Sequence, residues 1–411
     1  MHPFAIQLDD RMLSLARAGQ VMSSEPSGPI EATERLQEHL LRRIAEHPLQ
    51  EDERVWVTSP ASADARTLST VVDALRGIAL PVDGFVDAAA VAVAGLAAER
   101  HALVLELGLH HVAVTAVERG AQARRRRAVI SDRGGLVDLH EAWLNLISTA
   151  MVKRARFDPL RNAETEIQMR TSLPRWLEEF ATAVSITASA TLGQERFDVE
   201  LSRDQFASAA QPVYREILRL LHELRPAGAA IDLIMPRSIA SLPAMRDALQ
   251  AFVGCELVTL PEGYAAAVTS LLDLPQAQSE QSVRLLRRLP VQADLTLSKL
   301  VNREPLGKAR SAAPVASHLL YDGRAHALTS TLAVGRAPGG DPAITLPEGL
   351  AGVSRRHCTF VHEGGELLLV DHSTFGTFLN GERISERARA YAGDKVRIGE
   401  PGVELSLITL T

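Results

Sequence analysis

The residues with the clearest chemical potential lie in one segment, residues 352–381, which reads GVSRRHCTFVHEGGELLLVDHSTFGTFLNG. Serine, threonine, arginine and glycine cluster there between short runs that are typical of β-strands. Hydroxyl groups, backbone amides and guanidinium groups are the donors that bind an anion strongly, and arginine binds it with defined geometry. The segment has no recognisable combination of nucleophile, base and orienting group. The pattern therefore predicts an anion-binding surface rather than a catalytic centre.

Loops between rigid strands must position these groups. Residues 318–411 contain short strand-like runs separated by turn signals, which predicts a small β-sandwich. Residues 1–275 alternate strand-like and helix-like segments, which predicts an α/β domain. Residues 276–317 mix proline, alanine, serine and basic residues without a sustained period, so we expect a linker. The predicted fold class is thus multidomain, with an α/β domain followed by an all-β domain.

Composition excludes several classes of protein. The chain has 411 residues and a formal net charge of −6, so no overall positive field favours nucleic acid or anionic lipid. Cys255 and Cys358 are the only cysteines, too few for a disulfide framework and without metal-ligand spacing. The N-terminus does not predict a signal peptide, and the apolar run 88–98 is too short for a membrane span. We expect a cytoplasmic protein without a membrane span, and a packed helix at that run.

The C-terminal motifs VGR, GVSRRH, VDHSTFGTFLNG and GDKVRIG occur in order and resemble the forkhead-associated (FHA) domain. That family is a β-sandwich whose loops bind phosphothreonine peptides. A phosphothreonine carries nearly two negative charges and three acceptor oxygens, which matches the donors of the segment. The resemblance assigns phosphopeptide binding to Arg336, Ser354, Arg355 and Thr374, with both the hydroxyl and the backbone amide of Ser354 on the phosphate. It assigns loop support to Gly335, His357, Gly376, Thr377, Asn380 and Gly381.

Phe375 departs from the family pattern, because many members carry an asparagine there that hydrogen-bonds the peptide backbone. A phenyl ring offers no such donor or acceptor. We expect phosphate binding to survive and peptide affinity or register to differ. Arg356 is interpreted as a solvated neighbour, and His357 as a buried structural residue rather than a catalyst or metal ligand.

The N-terminal region resembles, more distantly, the actin and heat-shock chaperone ATPases, which implies an actin-like (ribonuclease H-like) fold. Their ATP lies between two glycine-rich hairpins. Here Gln7, Asp9 and Asp10 replace the expected residues of the first hairpin, and carboxylates repel a polyphosphate. In the second hairpin Glu106 and Gly108 remain, but residues 109–111 are Leu-His-His, and residues 233–243 lack the usual paired glycines. Asp9, Asp10, Glu106 and Gly108 are therefore interpreted as a vestigial nucleotide site in a pseudo-ATPase.

Three other patterns have functional and structural interpretations. His110 and His111 are adjacent, point to opposite faces and do not predict a metal site. Residues 124–127, RRRR, could contact nucleic acid or acidic lipid, but a solvated loop is favoured because no aromatic residues are interleaved. Residues 284–290, RLLRRLP, could form an amphipathic docking helix for a partner or a helix against their own domain.

The leading hypothesis is a phosphothreonine-dependent adaptor or scaffold in bacterial Ser/Thr-kinase signalling. Its expected partners are a Thr-phosphorylated protein and a Ser/Thr kinase, with no nucleic acid, and it needs no cofactor or metal. The alternative is an ATP-binding chaperone-like or filament-forming actin-family ATPase, with Mg²⁺-ATP, regulated by its FHA module. A third possibility is an unphosphorylated protein partner that contacts Phe375.

Overall fold

The computed structural model describes most of the chain as two compact units. Unit 1 holds the described residues of Met1–Arg225 and Ala230–Gly307, and unit 2 those of Lys308–Thr411. The structure describes residues 3–27, 33–96, 101–225, 231–250, 252, 254–276, 283–291, 297, 300–306, 316–329, 331–340, 342–363, 366–379, 382–384, 386–392, 394–399 and 402–409. None of the helices within those ranges is both long and apolar enough to cross a membrane.

The first half of unit 1 forms a mixed sheet with helices. Its elements are β1 (Phe4–Leu8), β2 (Met12–Arg17), β3 (Gln20–Pro26), α1 (Thr33–Glu46), β4 (Val55–Ser59), α2 (Ala65–Gly77), β5 (Val82–Asp87) and α3 (Ala88–Ala94). The strand order is β3-β2-β1-β4-β5, with antiparallel pairing among β1 to β3 and parallel pairing of β1 with β4 and of β4 with β5. The hairpin that carries Gln7, Asp9 and Asp10 is thus formed by β1 and β2.

The second half repeats this topology. Its elements are β6 (His101–Leu107), β7 (Val112–Arg119), β8 (Gln122–Ser131), α4 (Leu136–Ala155), a 3-10 turn (Pro159–Arg161), α5 (Ala163–Glu179), β9 (Ser185–Leu192), β10 (Glu195–Ser202), α6 (Arg203–Leu224), β11 (Ile231–Pro236), α7 (Arg237–Ala240), α8 (Met245–Leu249), β12 (Cys255–Leu260) and α9 (Tyr264–Thr269). The order β8-β7-β6-β11-β12 matches that of the first sheet, strand for strand. Strands β9 and β10 form a separate hairpin.

Two alanine-rich helices pack in the core of unit 1. Every residue of α9 is buried, as are Ala89 to Ala94 of α3. Helix α3 begins after Asp87, whose carboxylate accepts the Ala90 N–H at 3.0 Å, the usual role of an N-cap aspartate. α3 contacts strands of both sheets, and α9 contacts β1, β2 and β4. Small side chains let these helices approach the sheets closely, and the prediction of a packed helix in this run is correct for Ala88–Ala94.

Three short strands correct the expectations for residues 276–317. They are β13 (Arg284–Leu286), β14 (Arg288–Pro290) and β15 (Asn302–Leu306). β13 pairs with β5, β14 with β8 and β15 with β12, so unit 1 extends through this segment instead of ending at 275. The described part of 276–317 up to Leu306 is therefore integral to the sheets, and 284–290 is not a helix.

Residues 124–127 also differ from the prediction, because they belong to strand β8 and not to a solvated loop. Arg124, Arg126 and Arg127 are exposed on this strand, while the Arg125 side chain is largely covered. The Arg125 Nη1 atom lies 2.7 Å from the Asp87 carboxylate, which is 1% exposed as a side chain. A buried carboxylate requires such a partner, so this arginine has a structural role.

Unit 2 is a sandwich of two sheets, as predicted. Its strands are β16 (His318–Tyr321), β17 (Arg324–Ala327), β18 (Thr331–Gly335), β19 (Ala343–Thr345), β20 (Cys358–Glu363), β21 (Glu366–Asp371), β22 (Thr377–Leu379), β23 (Glu382–Arg383), β24 (Arg387–Ala390), β25 (Lys395–Ile398) and β26 (Val403–Ile408). One sheet has the order β17-β16-β26-β25-β22-β23 and the other β19-β18-β20-β21-β24. Alternate residues such as Leu367 and Leu369, or Leu405 and Leu407, are buried between the sheets. The strand ends thereby hold the connecting loops in place.

Candidate functional site

Backbone hydrogen bonds join the loop after β18 to the loop before β20. The Arg336 N–H donates to the Ser354 carbonyl at 3.1 Å, and the Ala337 N–H donates to the Arg355 carbonyl at 3.0 Å. A Cβ atom on Gly335 would overlap the Arg355 carbonyl oxygen and lie 2.9 Å from the His357 nitrogen. Only glycine therefore allows this approach, which places Arg336 beside Ser354.

The loop between β21 and β22 meets the same position. The Ser354 hydroxyl oxygen accepts the Thr374 N–H at 3.3 Å. This contact uses the hydroxyl as an acceptor and leaves its own hydrogen available to a ligand. Ser354 is partly exposed, and Thr374 and Arg336 are exposed. The structure thus brings Arg336, Ser354 and Thr374 together at one end of the sandwich.

His357 holds the loops from inside. Its side chain is completely buried, its Nδ1 accepts the Ser354 N–H at 3.1 Å, and its Nε2 faces the Gly376 carbonyl at 3.2 Å. Nδ1 as acceptor requires the neutral ring with the proton on Nε2, which then donates to Gly376. Burial lowers the pKa of His357, which favours the same neutral form. The Ser354 amide is therefore occupied by His357, contrary to the expectation that this amide binds the phosphate.

A second network shapes the turn that carries Thr374, and the sequence analysis missed it. Asp371 Oδ1 accepts the Ser373 N–H at 3.0 Å and the Thr377 hydroxyl at 2.7 Å, and Ser373 Oγ accepts the Gly376 N–H at 2.7 Å. Burial acts to raise the pKa of Asp371, but these hydrogen bonds together lower it. An aspartate bonded to the amide two residues later is an Asx-turn, so the Asp-x-Ser pattern was an available signal.

The described loops present positive charge. The side chains of Arg336, Arg355 and Arg356 are exposed, and Arg356 Nε donates to the Thr359 hydroxyl at 3.3 Å. Among the residues that the structure describes, neither Arg336 nor Arg355 has a carboxylate within ion-pair distance. Guanidinium groups without a carboxylate partner are available to an anion.

The other predicted positions of this loop differ in burial, and two of them lie outside the described residues. Thr377 is buried with its hydroxyl on Asp371, and Gly376 has φ +96°, a conformation that favours glycine. Phe375 is 66% exposed. Asn380 and Gly381 lie outside the described residues.

The four residues that were predicted to form a vestigial nucleotide site line one cleft in unit 1. Asp9, Asp10, Glu106 and Gly108 surround a cleft that has a cavity volume of about 90 Å³ and is partly open to solvent. Asp9 accepts the N–H groups of Arg11 and Met12, so its carboxylate is used within its own turn. Burial raises the pKa of Asp9, and its turn hydrogen bonds oppose this.

Two carboxylates at this cleft accept hydrogen bonds from backbone amides in loops that follow strands of the other sheet. Asp10 accepts the Leu109 N–H at 2.7 Å, and Glu106 accepts the Ala61 N–H at 3.1 Å. Burial, followed by the negative charge of Asp87, raises the pKa of Glu106 to about 8. The cleft is therefore lined by acid groups, one of them held protonated at neutral pH.

The adjacent His110 and His111 differ in their surroundings. His110 is exposed, while His111 Nδ1 lies 3.7 Å from Asp10 Oδ2. Within the described part of the chain, no three His, Cys, Asp or Glu side chains are arranged to hold a metal ion.

Comparisons with known proteins bear on unit 2. No curated protein matches the chain. The family model described as "FHA domain" matches residues 332–399, a range that includes Arg336, Ser354, Arg355 and Thr374. The chain therefore contains an FHA domain, a module of the class that binds phosphothreonine-containing proteins.

Proposed function

We propose that this protein is a phosphothreonine-dependent adaptor or scaffold in the cytoplasm of a bacterium, acting in Ser/Thr-kinase signalling. The observation that carries the proposal is the junction of three loops at Ser354, where Arg336 and Thr374 converge. Two arginines without a carboxylate partner among the described residues supply positive charge there. The FHA match to residues 332–399 supports the same function.

The hydrogen-bond donors at this site can each bind a phosphate oxygen. The Ser354 hydroxyl retains a free hydrogen, and the guanidinium groups of Arg336 and Arg355 can each donate to phosphate oxygens. Since the Ser354 amide is bonded to His357, we assign phosphate binding to these side chains. Charge-assisted hydrogen bonds of this type contribute about 1.5–3 kcal/mol each.

A phosphopeptide-binding assay tests the function. In fluorescence polarisation, wild type should bind a phosphothreonine peptide library and should not bind the unphosphorylated library. Arg336→Ala should weaken binding about 10- to 100-fold, because each 1.4 kcal/mol is a factor of ten. Arg324→Ala, which removes an exposed arginine of β17, is the matched control and should bind normally. Unchanged affinity of Arg336→Ala, or equal binding of both libraries, would contradict the proposal.

For unit 1 we propose an actin-like fold without ATPase activity. The repeated strand order of the two sheets supports the actin-like assignment. Asp10 and Glu106 occupy backbone N–H groups that could otherwise face an anion, and their acidity opposes a polyphosphate. We infer that unit 1 acts through its protein surfaces.

The alternative function is Mg²⁺-ATP binding, and the cleft around Asp9, Asp10, Glu106 and Gly108 is the observation that favours it. Isothermal titration calorimetry of the full chain with Mg²⁺-ATP separates the two. If the acid groups of the cleft exclude the polyphosphate, as proposed, no binding heat is expected. Saturable binding that is lost in Glu106→Ala would support the alternative.

A further inference from the structure

Phe375 is exposed to solvent in a turn whose flanking residues are hydrogen-bonded. The residue before it is fixed by the Thr374 N–H on Ser354 Oγ, at 3.3 Å. The residue after it is fixed twice, by the Gly376 N–H on Ser373 Oγ at 2.7 Å and by the Gly376 carbonyl on His357 Nε2. Hydrogen bonds on both sides restrict the backbone at Phe375. The side chain nevertheless remains 66% exposed.

Such a ring is ready to contact a ligand. Exposed aromatic surface is unfavourable in water, at about 25 cal/mol per Å² of apolar area. Aromatic side chains on fixed backbone give binding energy at low entropic cost, because few rotatable bonds are lost. The ring directly follows Thr374, so it flanks the site assigned to the phosphate.

The positive charge around the turn limits which ligand side chains can contact Phe375. Arg355 and Arg356 are exposed on the neighbouring loop, and a Cβ on Gly376 would overlap Arg383 Nε, which places that guanidinium beside the turn. A lysine or arginine of the ligand would be repelled by these groups. Acidic ligand groups would pair with the arginines and not with the ring. An uncharged apolar side chain is the group that gains from Phe375.

We propose that Phe375 makes this module select phosphothreonine peptides with a large apolar side chain near the phosphothreonine. The inference rests on the proposed phosphothreonine function. An extended peptide advances about 3.3 Å per residue, and the Cα atoms of Thr374 and Phe375 are about 3.8 Å apart. Three positions on either side of the phosphothreonine span about 10 Å, so the test covers the residues that can reach the ring from a phosphate bound at Ser354.

The test uses the full chain and phosphothreonine peptides in which each of the three positions on either side is Leu, Phe, Ser, Asp or Lys. Wild type should prefer Leu or Phe over Ser and Lys about 5- to 20-fold at one position. Phe375→Ser should lose that preference and keep its dependence on the phosphate. Phe375→Leu should retain most of the preference, which controls for any general effect of substituting the turn.

The outcomes distinguish this inference from the function on which it rests. Retained phosphate dependence without an apolar preference in wild type, or an apolar preference that persists in Phe375→Ser, would refute the role of Phe375 alone. Equal affinity for phosphorylated and unphosphorylated peptides would refute the phosphothreonine function itself. Thermal unfolding of Phe375→Ser should match wild type, because the ring is exposed.

Discussion

Glu106→Gln should make unit 1 more stable in alkaline solution. The pKa of Glu106 rises from 4.5 to about 8, first because the carboxyl is buried and second because Asp87 lies near it. The folded chain therefore keeps the proton between these pH values while the unfolded chain loses it. Since the folded state binds more protons, its stability falls as pH rises from about 4.5 to about 8 and is constant above that range.

The magnitude follows from the same shift. One pKa unit corresponds to about 1.4 kcal/mol, so the ionisation of Glu106 lowers the free energy of unfolding by ~4 kcal/mol between pH 4.5 and pH 9. Glutamine can still accept the Ala61 N–H, so the variant should match wild type near pH 5. At pH 9 the variant should be more stable than wild type by about 4 kcal/mol. This corresponds to roughly 8 °C in Tm, at about 2 °C per kcal/mol.

Tryptophan fluorescence during urea unfolding measures this effect, since Trp56, Trp143 and Trp176 are the only tryptophans and all lie buried in unit 1. Glu118→Gln, at a half-exposed position of β7, is the control for loss of a carboxylate and should not gain the alkaline stability expected of Glu106→Gln. A pH-independent difference for Glu106→Gln would refute the buried, protonated state. If added Mg²⁺ abolished the pH dependence of wild type, a cation would be stabilising the carboxylate, and the ATP-binding alternative would gain support.

Two further substitutions probe the units separately. Gly335→Ala should weaken phosphopeptide binding at least 10-fold in fluorescence polarisation, because the new Cβ overlaps the Arg355 carbonyl and separates the two loops; normal affinity would show that their approach is not needed. Arg125→Met should destabilise unit 1 by about 3 kcal/mol in urea, since it leaves the Asp87 carboxylate buried without its ion pair. Arg124→Met, one residue earlier on the exposed face, should change stability by less than about 0.5 kcal/mol, and equal effects of the two substitutions would contradict the assignment.

Long periodic elements were predictable because their side-chain pattern repeats within each element. Residues 1–275 alternate strands and helices, and residues 318–411 form short strands, where the apolar patterns predicted them. Residues 284–290 were not predictable by this route. Their leucines at 285, 286 and 289 fit a helical spacing, while strands of three residues are too short to show an alternation. Their partners β5 and β8 lie far away in the sequence.

The run of arginines led to a similar error, the prediction of a solvated loop at residues 124–127. Four consecutive arginines are typical of solvated loops, and the sequence contains no sign that one of them faces inward. Asp87, which makes that orientation favourable, is 38 residues from Arg125 along the chain. The expectation of a structural role for His357 came from the family resemblance, and the contact between its Nδ1 and the Ser354 amide came only from the structure.

The sequence by itself determined that residues 318–411 form a β-sandwich with an FHA motif. The motif residues follow one another in order along the chain, so they can be recognised without the fold. It also determined that the cleft of unit 1 would be acidic, since carboxylates stand at Asp9, Asp10 and Glu106. Only the tertiary structure decided which backbone N–H groups are available to a ligand. The Ser354 amide is bonded to His357 and the Leu109 amide to Asp10, and such pairings depend on distances between loops and not on spacing along the chain.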